Sequence, residues 1–329
     1  MTAFRHVEAG RVIVFGPDAR RSGAELIGAG FTLLTTARAA RAAPDVVERA
    51  GTVVEVPSGL VENLAGDLLG AVGGSRLVAL GGGRVIDVAK ALSAAHRAEG
   101  PLAIPTTLSG AEMTGLHRHA RGIPADTPCV RPAAVINDPA LSASQPVDQL
   151  AASSANALGH ALVAVASARA DPLSRSVALE AVRHLATAWS SSAPDREEMA
   201  LGALLAGWAV DHSGLGPHHA LAQTVVRTAG IGHAQANAAL LPETVAACRR
   251  RAPGAVEALD AAAGEPLEVL ARRLRDRAPS ETPGGDMEII MDRAVDAATV
   301  RPELDRIPPP PDRDELRSIL RAALSAGPR

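Results

Sequence analysis

A chain of 329 residues, 47% hydrophobic and 21% charged, is long enough for one large or two ordinary domains with a buried core. Its net charge of −3, with both signs interspersed, excludes the basic footprint of a nucleic-acid binder or of a protein held on anionic lipid, and 2% aromatic residues exclude a base-stacking platform. Cys129 and Cys248 stand too far apart to suggest a disulfide framework, and no apolar run reaches the roughly 20 residues that span a bilayer.

The N-terminus, MTAFRHVEAG, lacks an apolar signal core, so the expected setting is a reducing cytoplasm with no membrane attachment. With no tyrosine in the chain, proton-transfer duties fall on histidine.

The first half alternates short β-branched runs with helical stretches. Strands are expected at Arg11–Phe15, Phe31–Thr36, Thr52–Val56, Ser75–Leu80, Ala103–Ile104 and Ala133–Ile136. Helices are expected between several of them, at Asp18–Gly28, Leu60–Val72 and Arg84–Arg97. This order predicts a parallel sheet covered by helices, an α/β domain over residues 1–149. After Pro146 the alternation stops. Ala/Leu-rich periodic segments at 150–168, 173–189, 195–211, 216–229, 234–250 and 265–277 predict an all-helical second domain, 150–329. Within it, 278–312 is rich in Pro, Gly and Asp and reads as loop with a short helix near 286–296, followed by a final amphipathic helix from Asp312 to Leu324.

Two loops at the carboxyl ends of expected strands have ligand-binding character. Leu77–Lys90 is a strand, a triple-glycine turn (Gly81, Gly82, Gly83) and a helix. Backbone N–H groups at such a turn can approach a phosphate, and the helix N-terminus adds partial positive charge. Asp87 is expected in the first turn of that helix, as a cap or a ligand contact. The second loop, Pro105–Thr114, offers the hydroxyls of Thr106, Thr107, Ser109 and Thr114. The first loop can equally be an ordinary βα turn, and the hydroxyls can be helix caps. Open α/β sheets bind ligands at these strand ends.

The helical half carries a histidine constellation. Asn156 and His160 stand four apart, on one face of a helix. His219 and His233 follow, fourteen apart, with His218 beside the first. A carboxylate at 156 would complete an Fe or Zn shell with three imidazoles, but asparagine supplies only a neutral carbonyl oxygen. A metal is therefore possible but not favoured. His160 alone reads as well as a core residue satisfied by a backbone carbonyl.

GGGRVIDVAK (81–90), PTTLSGAEMT (105–114), NALGH (156–160) and the pair His219, His233 together resemble the iron-containing alcohol dehydrogenase family, over about residues 10–245. Within it the chain is similar to maleylacetate reductases, which carry Asn at the first metal-ligand position and a GSEMT loop, echoed at Ser153–His160 and Gly110–Thr114. The resemblance implies a dehydroquinate synthase-like two-domain fold, a homodimer, and NADPH or NADH as cofactor. It implies reduction of a keto-acid or enone without a metal; in such a site one imidazolium can donate the proton, a task that a near-neutral pKa suits. It places Gly81, Gly82, Gly83, Arg84, Asp87, Thr106, Thr107 and Ser109 at the nucleotide, with Thr36 and Arg38 near the adenine ribose. NAD-preferring relatives have an Asp there, where this chain has Ala37 and Arg38. NADPH is thus expected to serve at least as well as NADH, unless Arg38 simply faces solvent. Catalytic duties fall to Asn156, His160, His218, His219 and His233. Where relatives carry histidines this chain has Gln223 and Glu243, and 278–312 does not match. Cyclase-type or other non-redox chemistry on the same scaffold, or an inactive binding protein, are the alternatives.

Overall fold

The computed structural model describes residues 3–73, 76–142 and 145–325. Two compact units divide the chain: 1–145 with 196–204, and 146–195 with 205–329. The fold is the expected parallel-sheet α/β unit together with an all-helical one.

The first unit is built on seven strands among the described residues: β1 (Phe4–Glu8), β2 (Arg11–Phe15), β3 (Thr32–Thr35), β4 (Thr52–Glu55), β5 (Leu77–Gly81), β6 (Leu102–Pro105) and β7 (Ala134–Asn137). Their order is β1-β2-β7-β6-β5-β3-β4, and all pairs are parallel except β1 with β2. The sequence hides β1 because it is a polar, mostly exposed edge strand, FRHVE. A two-residue turn, Ala9-Gly10, joins it to β2 with both residues at positive φ, as a tight hairpin requires. Ser75, expected to open β5, lies outside the described residues.

Short helices α1 (Ala19–Ser22), α2 (Ala24–Ile27), α3 (Ala37–Ala42) and α4 (Pro44–Val47) pack on one sheet face, and α5 (Val61–Leu68) and α6 (Gly83–Ala95) on the other. The single helix expected over 18–28 breaks at Gly23, where a Cβ would stand 2.8 Å from Ile136 Cδ1. Aliphatic residues on both faces (Leu33, Leu34, Val78, Leu80, Ile104, Val135, Ile136) are fully buried, as a doubly covered parallel sheet demands. The chain leaves β3 toward β4 and leaves β5 toward β6 on the opposite side. The ends of β3 and β5 therefore form the switch point of the sheet. The short α7 (Pro139–Ser142) follows β7.

The second unit contains α8 (Val147–Ala166), α9 (Pro172–Ala188), α11 (Pro217–Ala229), α12 (His233–Arg251), α13 (Pro253–Ala263), α14 (Leu267–Arg277), α15 (Met287–Thr299) and α16 (Arg313–Ser325); α10 (Arg196–Ser213) begins among residues of the first unit. α13 escapes the sequence pattern because it opens Pro-Gly, which reads as a turn; Pro253 instead occupies the first helical turn, where its missing N–H costs nothing. The expected helix near 286–296 is α15, capped by the Asp286 carboxylate accepting from Glu288 N and Ile289 N. α8 is buried along almost its whole length, including Ser153, Ser154, Asn156 and His160. No helix among the described residues is long and apolar enough to cross a membrane.

Candidate active site

In the first unit, Gly82 is the N-cap of α6 and provides no side-chain cap, so the leading N–H groups of the helix are left for another acceptor. The neighbouring loop closes against this turn. Thr106 N donates to Gly81 O at 2.9 Å. A Cβ on Gly82 would stand 2.9 Å from Thr107 Cγ2, and one on Gly83 3.0 Å from Ser109 Cβ. Glycine here is what lets the two loops touch and puts the Thr107 and Ser109 side chains beside the helix N-terminus. Ser109 Oγ also accepts from Ala111 N at 3.3 Å. The glycines, the uncapped helix start and the hydroxyls together fit a dinucleotide phosphate.

The other expected contacts fall at the same end of the sheet with altered roles. Thr36 caps α3, its side chain accepting from Ala39 N at 3.3 Å. The Arg38 guanidinium is half-buried and donates to Thr106 Oγ1 at 3.3 Å, so it reaches from the end of β3 across the end of β5. Burial lowers its pKa from the usual arginine value. Arg84 is exposed in the first turn of α6.

Asp87 corrects an expectation: it is the fifth residue of α6, one turn past the N-terminus, and caps nothing. Its carboxylate instead pairs with Lys90 at 2.8 Å. Lys90, fully buried, donates to the carbonyls of Ala111, Thr114 and Leu116 and so pins the loop after Thr107. The sequence reading missed this lysine, although it closes the glycine motif. It also missed Glu112, whose carboxyl is pushed up to about 7, chiefly by burial, with its own backbone hydrogen bond and Lys90 opposing.

In the second unit, Asn156, His160, His218 and His219 come together from α8 and α11. His219 Nε2 stands 3.1 Å from Asn156 Oδ1. A carbonyl oxygen can only accept, so Nε2 carries the proton and Nδ1 is left with a lone pair. The His160 and His219 rings stack, centroids 4.3 Å apart and planes 10° from parallel. His218 meets His219 edge-on, 5.1 Å away. The Thr244 hydroxyl donates to Leu240 O and Leu241 O at 3.0 Å, so at 2.9 Å it accepts from His218 Nδ1–H. Gly159 is required there: a Cβ would lie 2.2 Å from His218 Cδ2. His160 Nδ1, His219 Nδ1 and His218 Nε2 are buried with no partner at hydrogen-bond geometry. His233, the first residue of α12, is exposed, yet its charge is felt by all three other histidines.

Burial, more than neighbouring charge, holds the cluster neutral. His160 and His218 are brought down to about 3, each chiefly by desolvation. Asn237 opposes the shift at His218. His219 is held well below its ordinary value, by desolvation first and then by His160, His218 and His233. The expected near-neutral imidazolium is thus absent from these three positions. In water-poor surroundings without a carboxylate, desolvation outweighs the neutral partners, such as Asn237 at His218, that favour the charged form.

As arranged, Asn156, His160, His219 and His233 do not fit a metal ion. Imidazole lone pairs lie in the ring plane, and those of two stacked, nearly parallel rings do not converge on one point. The His219 Nε2 position is occupied by a proton shared with Asn156. His160, His219 and His233 do not bring three ligand atoms within 4.8 Å of one another. Of the family-discordant positions, Gln223 Oε1 accepts from Arg301 Nη2 at 2.8 Å, which ties α11 to the segment after α15. Glu243 is partly exposed and forms no ion pair with a histidine among the described residues. His212 is exposed and stacks on Trp208.

Residues 150–283 match the Fe-containing alcohol dehydrogenase family, C-terminal model. Maleylacetate reductase 1 of Rhodococcus opacus is 31% identical over 72% of this chain and 69% of its own length. The maleylacetate reductase of Pseudomonas aeruginosa is 31% identical over 73% and 72%. The crystal structure of maleylacetate reductase from Agrobacterium tumefaciens superposes with a TM-score of 0.81 at 26% identity, covering 99% of each chain.

Proposed function

The chain belongs to the iron-containing alcohol dehydrogenase family of NAD(P)-dependent oxidoreductases, and from that premise we propose that it reduces the activated C=C bond of a keto acid, maleylacetate or a close analogue, without a metal. The observation that carries this reading is the hydrogen bond from His219 Nε2–H to Asn156 Oδ1 within a buried, neutral histidine cluster. The nicotinamide supplies a hydride. The electron pair of the C=C bond moves onto the conjugated carbonyl oxygen, and one solvent-derived proton completes the product.

Each residue has a physical task in this scheme. The uncapped α6 N-terminus with Gly82 and Gly83 holds the pyrophosphate, and Thr107 and Ser109 supply hydroxyls beside it. Arg38, half-buried just after β3, supplies a cation with which a 2′-phosphate would pair, and this supports a preference for NADPH. Asn156 fixes the tautomer of His219, and the stacked His160 fixes its ring plane. The three buried imidazoles are kept neutral until an anion arrives. A substrate carboxylate, or an enolate forming during hydride transfer, provides the missing counter-charge and raises an imidazole pKa. Proton uptake is thereby coupled to substrate charge. A neutral cluster also accepts an anionic substrate without the cost of an unpaired buried cation.

Initial rates of NAD(P)H oxidation with maleylacetate test the proposal. Substrate-dependent oxidation that falls at least about 100-fold in His219→Asn, as loss of a proton-transfer group does, supports it. Oxidation of simple alcohols with no turnover of keto acids overturns it.

A further inference from the structure

Residues 106–133, between β6 and β7, contain no helix or strand. Structureless stretches of that length are uncommon in a compact domain and are usually either functional or linker segments. Lys90 fixes the first part through three backbone carbonyls. The second part carries three side chains that the reductase chemistry does not use: His117, His119 and Cys129. One ligand atom from each lies within 4.8 Å of the others, a grouping that no other trio of His, Cys, Asp or Glu achieves among the described residues.

The local geometry suits coordination. The two imidazoles meet edge to face, at 84° with centroids 5.6 Å apart, so their in-plane lone pairs can converge as those of His160 and His219 cannot. His119 Nδ1 is buried without a hydrogen-bond partner. Val130 N–H donates to His117 Nε2 at 3.0 Å, which leaves that nitrogen unprotonated. His117 Nδ1–H therefore donates to Arg118 O, also at 3.0 Å. A ligand histidine anchored through its other nitrogen to a backbone carbonyl is the usual outer arrangement of a metal site. The exposed Cys129 folds back toward His117, Sγ to O 3.9 Å.

We propose that His117, His119 and Cys129 bind a zinc-class divalent ion that staples residues 115–131, with a water in the fourth position on the exposed side. Two imidazoles and one thiolate form the borderline-soft donor set that zinc takes. In a tetrahedral zinc shell, N and S ligands stand about 3.3–3.6 Å apart, so the trio closes by no more than about 1.5 Å. Binding replaces the Val130 N–H bond to His117 Nε2 with a metal bond and releases the Cys129 thiol proton to solvent. The ion's role is to hold the loop whose start Lys90 grips.

Cobalt(II) titration of the full-length protein, stripped with chelator under reducing conditions, tests this. One equivalent is expected to produce a thiolate-to-cobalt charge-transfer band that zinc abolishes on displacing the cobalt. Cys129→Ser should lack the band, and His119→Ala should weaken binding by at least about 100-fold, beyond the loss seen for an outer partner. A His160→Gln/His219→Gln protein should keep the band, which separates this site from the cluster in the other unit. Absence of the band at stoichiometric cobalt overturns the proposal, as does its persistence in Cys129→Ser. Circular dichroism of the Cys129→Ser protein checks that it folds.

Discussion

Acidification should unfold this protein through its buried histidines. In an unfolded chain an imidazole titrates near 6.5; in the fold, His160 and His218 titrate at about 3 because burial disfavours their charged form. Between those values the unfolded chain binds more protons, so stability is fully present above pH 6.5 and is lost progressively as pH falls toward 3. From pH 7.5 to pH 5, linkage gives a loss of about 2 kcal/mol for each group, or roughly 4 kcal/mol for the pair. The figure depends little on the folded value so long as it lies below about 4. His219 acts in the same direction. For a unit of this size the pair corresponds to a fall in Tm of roughly 8–16 °C. Thermal or urea unfolding of wild type and His160→Gln/His218→Gln at the two pH values isolates the effect from other titrating groups. The double variant, with neutral amides, should lose about 4 kcal/mol less on acidification. Equal losses in both proteins would refute the claim that the cluster is held neutral. If the double variant does not fold, imidazole NMR titration of the wild type gives the same answer: resonances at 160 and 218 that titrate near 6.5 would refute it.

Three further outcomes follow from the geometry. Gly159→Ala drives a Cβ into His218, so stability should fall by about 1–3 kcal/mol, read by urea unfolding; an unchanged midpoint would mean that His218 is not seated as described. Arg38→Ala should raise KM for NADPH about tenfold, equivalent to roughly 1.4 kcal/mol, and leave NADH unchanged. An equal rise with both cofactors would show that Arg38 merely positions Thr106. Asn156→Asp places an anion against His219 Nε2–H and should raise the His219 pKa by about 1–3 units, seen by imidazole NMR; no movement would argue against direct contact.

Much of the scaffold is written locally and can be read from the sequence. β5, the glycine turn and α6 follow from an apolar run, three glycines and a helical period, and the ends of the long helices fall within a few residues of the pattern. β1 is invisible because its residues are polar and its pairing comes from a two-residue turn. Side-chain chemistry is less legible where burial decides it. Nothing in the spacing of Asn156, His160, His218 and His219 shows that desolvation keeps the imidazoles neutral, nor that Thr244, 26 residues after His218, sets its tautomer. Asp87 illustrates the same limit: a one-turn shift along α6 exchanges a capping role for an ion pair with Lys90. The approach of Cys129 to His117 and His119 depends on how an irregular loop folds back, which no periodicity encodes.

The most direct test of the central claim is the rate of NADPH oxidation by maleylacetate in protein carrying Cys129→Ser and depleted of metal by chelation, with residual metal measured on the same sample. Substrate-dependent turnover with far less than one equivalent of iron or zinc, unchanged on adding either ion, is the predicted result. Turnover that appears only when iron or zinc is restored, or no turnover of maleylacetate under any metal condition, would contradict the account.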